Sequence, residues 1–251
     1  MKGLILAGGK GTRLYPTTRV VNKHILLVYD RPMIMHPILT LRDAGITDII
    51  ISLSYENPQQ MMELLGDGKE LGVKLTYIIH GEPKGISYGI YHARHVLGCE
   101  PFVCLLGDNI FTEGLKSQIE KFKANPDKSL VVLKKVRLEE ANRYGVAEFD
   151  WEMPESEIVG YGKPLLRRVI EKPQKPPSSY IMTGAYMLTT QFFDIYPSLT
   201  PSNRGEFEIT DAINALMPNV MYEIYDDQWF DVGTFESIME ASNYLREHKH
   251  G

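Results

Sequence analysis

Glycine-rich turns that carry basic or acidic side chains are the features of this chain best suited to chemistry. Residues 3–14 read Gly-Leu-Ile-Leu-Ala-Gly-Gly-Lys-Gly-Thr-Arg-Leu, and Lys23 follows shortly afterwards. Glycines let the backbone approach a ligand closely and point successive N–H groups at it. Arginine adds a planar fork for phosphate oxygens, and lysine adds a compact charge. We therefore interpret residues 8–14 as a loop that binds a nucleoside triphosphate.

Two aspartates stand at the ends of apolar runs. Asp108 follows Gly107 and the run Phe102–Leu106, and Asp231 follows Trp229-Phe230. A carboxylate at the end of a buried strand needs a partner, and Mg²⁺ that bridges phosphate oxygens would be one. A helix cap or a turn explains either aspartate taken alone. The two together predict a magnesium–phosphate site, where chemistry by positioning and charge neutralisation needs no nucleophilic side chain.

Two further charged stretches carry weaker signals. Glu171-Lys172-Pro173 suits sugar hydroxyls and a phosphate, although a solvated ion pair is the simpler interpretation of Glu171 and Lys172 alone. The stretch 204–211 resembles a loop that enters a helix, where capping alone explains its acids. His92 and His95 lie three apart on a predicted helix without a third ligand, which favours surface or packing roles over zinc.

The glycine loop also fits alternative roles, which stay open. The dinucleotide fingerprint needs a third glycine and a helix directly after the loop, whereas Pro16 argues against a helix there. Asp30 stands at a spacing that would mimic the ribose-binding acid of that fingerprint. The P-loop pattern is absent from the sequence. A glycine-rich turn without a ligand is the third alternative, which Arg13 and Lys23 disfavour.

Composition limits the class of protein. The chain has 251 residues, a hydrophobic content of 43% and a formal net charge of −5. It is long enough to bury a large core, and its charge argues against a general nucleic-acid surface. The sequence has no long uncharged apolar run, so it predicts no membrane span. Met1 leads into a predicted strand without a signal peptide. The two cysteines fit a reduced, cytoplasmic protein.

Apolar runs alternate with amphipathic stretches through the first half, as in right-handed βαβ units on a mainly parallel sheet. Both the glycine loop and Asp108 follow such runs, and ligands bind beyond the carboxyl ends of strands in these sheets. Residues 149–164 predict a polar surface hairpin or loop. The predicted strands are 4–7, 49–53, 75–79, 102–106, 130–136, 167–170 and 180–188, and the predicted helices are 33–44, 59–65, 87–97 and 237–246.

Taken in order, these motifs resemble the sugar-1-phosphate nucleotidyltransferase family, and the resemblance covers nearly the whole chain. It implies an α/β fold with a Rossmann-like mixed, mainly parallel sheet of the GT-A-like type. It also implies a single domain over 1–251, with a nucleotide-binding half of about 1–110 and a sugar-phosphate-binding half of about 111–251. The matching stretches are 6–16, 22–24, 29–34, 65–68, 106–111, 143–146, 171–173, 183–186, 204–206, 208–211 and 231–233.

The resemblance also implies residue roles, with Mg²⁺ as the cofactor. The implied catalytic residues are Arg13, Lys23 and Asp108, and the implied metal ligands are Asp108 and Asp231. The implied nucleotide-binding residues are Gly8, Gly9, Gly11, Thr12, Arg13, His80, Gly85 and Asn109. The implied sugar-phosphate-binding residues are Tyr144, Gly145, Glu171, Lys172, Met182, Thr183 and Arg204.

The implied reaction is attack by the phosphate of a sugar 1-phosphate on the α-phosphorus of a nucleoside triphosphate, which releases pyrophosphate. The expected partners are dTTP and glucose 1-phosphate, with neither nucleic acid nor membrane, and a homo-oligomer is a further expectation. The products belong to sugar-nucleotide and polysaccharide biosynthesis. A UTP-specific or other nucleotidyltransferase, or a paralogue that binds a sugar nucleotide without turnover, is the alternative.

The chain departs from the family pattern in ways that bear on specificity. His80 replaces a glutamine, and Gly85-Ile86-Ser87-Tyr88-Gly89 replaces Gly-Leu-Ala-Gln-Ala. A neutral histidine offers one donor and one acceptor on different ring nitrogens, so the choice of base is open. Met182 replaces a smaller residue and the 149–164 stretch is longer than usual. Both features bear on the shape of the sugar pocket, so the sequence leaves the choice of sugar undetermined as well. The chain ends soon after 237–246, so the tetramer contacts and feedback control of longer relatives are not expected automatically.

Overall fold

The computed structural model describes residues 1–55, 57–81, 83–150 and 164–248. Its strands are β1 Lys2–Leu6, β2 Leu27–Val28, β3 Arg31–Pro32, β4 Asp48–Ser54, β5 Lys74–His80, β6 Phe102–Leu106, β7 Asn109–Phe111, β8 Ser129–Lys135, β9 Gly145–Asp150, β10 Leu165–Glu171, β11 Tyr180–Leu188, β12 Val220–Ile224 and β13 Trp229–Asp231. Its α-helices are α1 Met35–Asp43, α2 Pro58–Leu65, α3 Ile86–His92, α4 Arg94–Leu97, α5 Lys116–Lys123, α6 Leu138–Ala141, α7 Gln191–Ile195, α8 Ile209–Leu216 and α9 Phe235–His248.

A mixed sheet forms the centre of the molecule, in the order β10-β9-β11-β6-β1-β4-β5, with β8 paired to β11 and β12 paired to β8. The strands of the first half run parallel, with β1 between β4 and β6. The strands of the second half join through β11, which is antiparallel to β6, β8 and β9. The predicted α/β fold class, a Rossmann-like mixed sheet flanked by helices, is confirmed.

The central strands β1, β4, β6 and β11 are buried on both faces, which explains why they are almost continuously apolar. Alternate residues of a strand point to opposite faces. Ile5 and Ile51 accordingly lie in one core cluster with α1, α2 and α5, whereas Leu4 and Ile50 lie in the other with α3, α7 and α8. Both clusters consist of fully or nearly fully buried side chains, so a polar residue at the end of these strands lies at the rim of a rigid platform.

The strand predictions agree with the structure to within about two residues at each end. The predicted helix 87–97 is wrong as a single element, because it divides into α3 and α4 at Ala93, whose N–H bonds to the carbonyls of Ile90 and Tyr91. The expectation of a loop or hairpin at 149–164 falls on residues 151–163, which lie outside the described residues. The strands β2, β3, β7, β9, β12 and β13 and the helices α5, α6 and α7 were missed.

The glycine loop does not continue into an α-helix. Gly11 has a left-handed backbone (φ +62) and is followed by one turn of 3₁₀ helix, Thr12–Leu14. The first α-helix in the described residues begins at Met35. The helix that the dinucleotide fingerprint requires directly after its glycines is therefore missing from this part of the chain.

A third core cluster joins the end of the chain to the middle. Val28 of β2, Ile110 of β7 and Phe230 of β13 pack together with Ala241 of α9. This packing holds the two-strand ladder of β7 and β13 beside the carboxyl end of β6. Within the described ranges, no helix is long and apolar enough to cross a membrane.

Candidate active site

A cleft opens along the carboxyl ends of β1 and β6. The Gly107 N–H donates to the Leu6 carbonyl oxygen at 2.9 Å, which brings the residue before Asp108 against the end of β1. One part of the cleft, the glycine-loop cavity, has a volume of about 480 Å³ and is lined by the glycine loop, Lys23 and His80. The other part, the Tyr144 cavity, has a volume of about 580 Å³ and is lined by Arg13, Tyr144 and Asp231. The two cavities share the lining residues Thr12, Ile86, Leu106, Asp108, Glu171, Lys172, Arg204, Glu206 and Ile209.

The glycine loop lies too close to its neighbours for side chains. A Cβ added at Gly8 would lie 3.0 Å from the Ser54 backbone nitrogen and 3.2 Å from the His80 ring. A Cβ at Gly11 would lie 3.0 Å from the Lys23 Cβ, on a backbone that already favours glycine. The Thr18 hydroxyl donates to the Gly11 carbonyl oxygen at 2.6 Å. These contacts hold the loop closely against its neighbours, and its residues border the glycine-loop cavity.

Lys23 connects the glycine loop to Asp108. It begins the 3₁₀ turn Lys23–Ile25, in which the Asn22 side chain accepts a hydrogen bond from the His24 N–H at 3.0 Å. The Lys23 Nζ lies 2.5 Å from Asp108 Oδ2. It also lies 3.5 Å from the point that a Cβ at Gly9 would occupy. The ammonium group, which the sequence predicts on phosphates, is thus held at the junction of loop and carboxylate.

The two predicted metal ligands converge, although they are distant in sequence. In the β7–β13 ladder Asp231 pairs with Asn109, the residue after Asp108. The Val232 N–H then donates to the Asp108 carbonyl oxygen at 2.8 Å. Both aspartates line the Tyr144 cavity. The chain therefore brings two carboxylates to one point of the cleft.

The pKa values of the two aspartates are shifted in opposite directions. Burial by itself raises the pKa of Asp108, but Lys23, His24 and hydrogen bonds from Lys23 and Asn109 lower it to about 2. Burial, and next the Asp108 carboxylate, raise the pKa of Asp231 to about 6 against the opposing charges of Arg13, Lys23 and Arg143. Two neighbouring carboxylates with one close cation leave negative charge uncompensated. This donor set has the oxygen chemistry that Mg²⁺ takes.

Asn109 orients this region and does not line the glycine-loop cavity. Its amide oxygen accepts from the Gly184 N–H at 2.9 Å and from Trp229 Nε1 at 2.8 Å. Its amide nitrogen donates to Asp108 Oδ1 at 3.2 Å. The side chain of Asn109 thereby connects β7, β11 and β13 behind the Asp108 carboxylate.

Arg13 approaches Asp231 across a glycine. A Cβ at Gly233 would lie 3.0 Å from Arg13 Cζ, and closer still to its Nη2. The missing side chain at Gly233 is therefore what admits the guanidinium. Arg13 is exposed and lines the Tyr144 cavity together with Thr12.

The predicted base-reading residues His80 and Gly85 also line the glycine-loop cavity. The His80 Nδ1 lies 3.2 Å from the Gly81 carbonyl oxygen. Burial, and more weakly His92, lower the pKa of His80 despite the Gly81 carbonyl. Gly85 has φ +98, and a Cβ there would lie 2.6 Å from the Phe207 carbonyl oxygen. The Tyr88 ring lies tilted against the His92 ring, at 3.9 Å between centroids, and approaches the His80 ring edge-on at 5.8 Å.

The predicted sugar-phosphate residues gather around Gly145 at the start of β9. A Cβ at Gly145 would lie 2.8 Å from Thr210 Cγ2, 3.0 Å from Met182 Cε and 3.7 Å from Glu171 Oε2. Lys172 has a left-handed backbone, φ +41, and its N–H donates to the Tyr144 carbonyl oxygen at 3.0 Å. This contact turns the end of β10 toward the cavity.

Arg204 and Thr183 are engaged by the protein itself. Arg204 Nη2 lies 2.9 Å from Glu171, 2.8 Å from Glu208 and 3.4 Å from Glu206. Glu171 also lies 3.1 Å from Lys172 Nζ. The Thr183 hydroxyl donates to the Val132 carbonyl oxygen at 2.8 Å, so this residue borders the cavity mainly through its backbone.

Several lining residues were not singled out from the sequence. Trp229 precedes the second aspartate by two residues, and its indole both supports Asn109 and packs edge-on against Tyr144 at 5.8 Å. Gly184 of the Tyr144 cavity and Gly233, which lines neither cavity, matter for the side chains that they admit, which a sequence does not reveal. The other lining residues of this kind are Leu6, Lys10, His24, Pro83, Ile86, Gly89, Leu106, Arg143, Tyr186, Glu206, Glu208 and Ile209.

The fold and the site define an α/β protein with a polar cleft at the carboxyl edge of its sheet. Residues 2–248 match the family model described as nucleotidyl transferase. The chain belongs to the nucleotidyl transferase family, as the sequence motifs predict. Within that family it is similar over nearly its full length to sugar-1-phosphate nucleotidyltransferases.

Individual relatives give the extent of this similarity. The chain is 38% identical to a glucose-1-phosphate thymidylyltransferase of Xanthomonas campestris, over 97% of this chain and 80% of the relative. It is 34% identical to the low-salt glycan biosynthesis nucleotidyltransferase Agl11 of Haloferax volcanii, over 99% of this chain and 67% of the relative. A crystal structure of a candidate glucose-1-phosphate thymidylyltransferase from Bacillus anthracis, with sucrose, superposes with a TM-score of 0.88 at 35% identity, covering 100% of this chain and 97% of that one.

Proposed function

We propose that this chain transfers a nucleotidyl group from dTTP to glucose 1-phosphate in a Mg²⁺-dependent reaction that yields dTDP-glucose and pyrophosphate. The observation that carries the proposal is the meeting of Asp108, Asp231, Lys23 and Arg13 where the two cavities join. One cavity has the backbone loop suited to a triphosphate, and the other has the mixed polar and aromatic lining suited to a sugar phosphate. Relatives over most of the chain are glucose-1-phosphate thymidylyltransferases.

Asp108 and Asp231 would hold the magnesium ion. Both present oxygen ligands. Burial, and next the Asp108 carboxylate, raise the pKa of Asp231, and a divalent cation would stabilise the negative charge of the two carboxylates. When bound, the ion supplies Lewis-acid polarisation and charge neutralisation at the phosphates. Asn109 would keep the Asp108 carboxylate in one orientation through the hydrogen bond at 3.2 Å.

The side chains of this chain would provide positioning and charge. The backbone at Gly8, Gly9, Gly11 and Thr12 would hold the triphosphate. Lys23 and Arg13 would approach it from opposite sides and neutralise charge that develops on the α-phosphate and on the leaving pyrophosphate. The sugar phosphate oxygen would then attack the α-phosphorus in line, without a covalent enzyme intermediate.

His80 supports a thymine or uracil base. The Gly81 carbonyl oxygen can only accept, so the neutral His80 ring carries its proton on Nδ1 and leaves Nε2 as an acceptor. Thymine and uracil present a ring N3–H donor, whereas cytosine presents an acceptor at that position. Uridine is therefore the nearest alternative to thymidine, and cytidine is disfavoured.

The sugar end would use the groups around Gly145. Glu171 would accept hydrogen bonds from sugar hydroxyls, and Lys172 would contact the phosphate, with Arg204 holding Glu171 in place at 2.9 Å. Tyr144, Met182 and the backbone at Thr183 would shape the pocket. In this division residues 1–110 serve mainly the nucleotide and residues 111–251 mainly the sugar phosphate, within one domain.

Pyrophosphate release from a panel of nucleoside triphosphates and hexose 1-phosphates tests the proposal. We expect release with dTTP and glucose 1-phosphate in Mg²⁺, slower release with UTP, and none after chelation with EDTA. The matched variants are Asp108→Asn, which should abolish turnover, and Asp127→Asn, a turn aspartate that lines neither cavity and should leave it unchanged. A chain that binds sugar nucleotides but releases no pyrophosphate with any pair would instead be a non-catalytic paralogue.

A further inference from the structure

The cations that line the Tyr144 cavity differ in how far the protein already neutralises them. Lys172 is paired with Glu171. Arg204 is paired with Glu171, Glu206 and Glu208. Arg13 and Arg143 line the same cavity, and within the described residues neither has a carboxylate oxygen within 4.0 Å. They are the cationic side chains of this cavity whose charge is least committed to the protein.

The wall around Lys172 cannot attract a phosphate dianion by its net charge. Lys172 and Arg204 are outnumbered there by Glu171, Glu206 and Glu208, so this cluster is net negative. A sugar 1-phosphate brings further negative charge toward a triphosphate that is itself anionic. A second, uncommitted cation on the sugar side would offset this repulsion.

Arg143 lies where such a cation is needed. It follows α6 in a turn in which the Tyr144 N–H donates to the Ala141 carbonyl oxygen at 3.1 Å. Its Cζ lies 5.7 Å from the centroid of the Tyr144 ring, within cation–π range. The Tyr144 ring in turn packs against Trp229, two residues before Asp231. The guanidinium is thereby kept beside the sugar end of the cleft, outside the lining of the glycine-loop cavity.

We propose that Arg143 binds a phosphate oxygen of the sugar 1-phosphate, on the side of the cavity formed by Tyr144 and Asp231. This inference rests on the proposed function and adds a substrate-binding residue to it. The planar guanidinium fork matches two phosphate oxygens in a bidentate geometry, whereas an ammonium group acts as a point charge without that geometry. Arg143 therefore sets the affinity for the sugar phosphate and leaves binding of the nucleotide to Arg13 and Lys23.

Steady-state kinetics of Arg143→Gln, Arg143→Lys and Arg137→Gln test this role. Arg137 is the matched control, because it directly precedes α6, the helix that Arg143 follows, pairs with Glu139 and Glu140, and lines neither cavity. For Arg143→Gln we expect the KM for glucose 1-phosphate to rise about tenfold or more, while the KM for dTTP changes less than about twofold. The KM of Arg143→Lys for glucose 1-phosphate should lie between those of Arg143→Gln and the unchanged protein. Arg137→Gln should match the unchanged protein.

The possible outcomes separate this inference from the proposed function. Equal KM values for glucose 1-phosphate in Arg143→Gln and Arg137→Gln would refute the role of Arg143 and leave the function standing. An equal rise in both substrate KM values would also refute it, because a general disturbance of the cleft would explain that result. So would a rise confined to the KM for pyrophosphate in the reverse reaction. No pyrophosphate release by the unchanged protein with any pair would refute the proposed function, and this inference with it.

Discussion

At the level of single residues, the site depends on unequal compensation of two carboxylates. Asp108 has an ammonium group at 2.5 Å and an amide donor at 3.2 Å. Asp231 has no such close donor in the part of the chain that the structure describes, and it faces the charge of Asp108. Without metal, the carboxylate of Asp108 therefore stabilises the fold, whereas the carboxylate of Asp231 destabilises it.

Replacing these aspartates should change stability in opposite directions. At pH 8 without metal, Asp231→Asn should raise the free energy of unfolding by about 1–2 kcal/mol, because it removes a carboxylate whose pKa is raised from 3.8 to about 6. Asp108→Asn should lower it by a similar or larger amount, because Lys23 loses its partner. Both variants should lack turnover. Urea unfolding in EDTA measures the two changes.

The pH dependence gives this prediction its control. An acid with a raised pKa in the folded state destabilises the fold as pH rises through about 4 to 6, so the advantage of Asp231→Asn should disappear below about pH 4. The stability that Asp108 contributes is present above about pH 4 and is lost as pH falls toward 2. Equal destabilisation by both variants at pH 8 would show that the two carboxylates do not interact as described.

Base selection should respond to His80. His80→Gln keeps an acceptor and adds a donor for a base carbonyl, so the ratio of kcat/KM for dTTP over CTP should rise. His80→Ala removes the acceptor and should lower that ratio by about tenfold. The exposed His95, which lines neither cavity, provides the control variant His95→Ala. Identical ratios in all these proteins would show that His80 does not read the base.

At the level of secondary-structure elements, the site depends on a short ladder. β7 and β13 contribute three residues each, yet their pairing brings Asp231 opposite the neighbour of Asp108. Asn109 then ties this ladder to β11 through Gly184, 75 positions away in sequence. The position of the second carboxylate is therefore only as fixed as this network of hydrogen bonds.

Two glycine-to-alanine changes should distinguish a glycine beside a rigidly held side chain from a glycine beside a side chain that can move. In Gly184→Ala the new Cβ would lie 2.6 Å from Cγ of the buried Asn109, which is held on both sides, so stability should fall by about 1–3 kcal/mol along with activity. In Gly233→Ala the Cβ would instead meet the movable end of Arg13, so activity should fall with a much smaller loss of stability. Thermal unfolding with parallel rate measurements compares them. Equal loss of stability would contradict the difference in rigidity.

Sequence patterns recovered the elements that are determined locally. The central strands follow from apolar runs bounded by turns, and the order of motifs identified both aspartates and the glycine loop. β7 and β13 were missed, because a three-residue strand exists only through a partner far along the chain. The division of the helix at Ala93 has no glycine or proline to mark it. The pairing of Arg204 with three glutamates was equally hidden, since only folding brings Glu171 beside residues 204–208.

At the level of the whole molecule, the two cavities form one continuous cleft. They share nine lining residues, among them Asp108, Glu171 and Lys172. The parallel half of the sheet supplies the glycine loop and Asp108, and the second half of the chain supplies Tyr144, Glu171 and Asp231. The proposed chemistry takes place where these contributions meet, so it requires that both aspartates act on one cation.

Binding of Mn²⁺ to the metal-free protein, followed by the electron paramagnetic resonance signal of free Mn²⁺, tests that requirement most directly. The unchanged protein should bind one Mn²⁺ per chain at this site. Asp108→Asn and Asp231→Asn should each weaken that binding at least about tenfold, because each removes a charged ligand. Wild-type affinity in Asp231→Asn would contradict the account, since the cation would then be held without the carboxylate that β13 brings to Asp108.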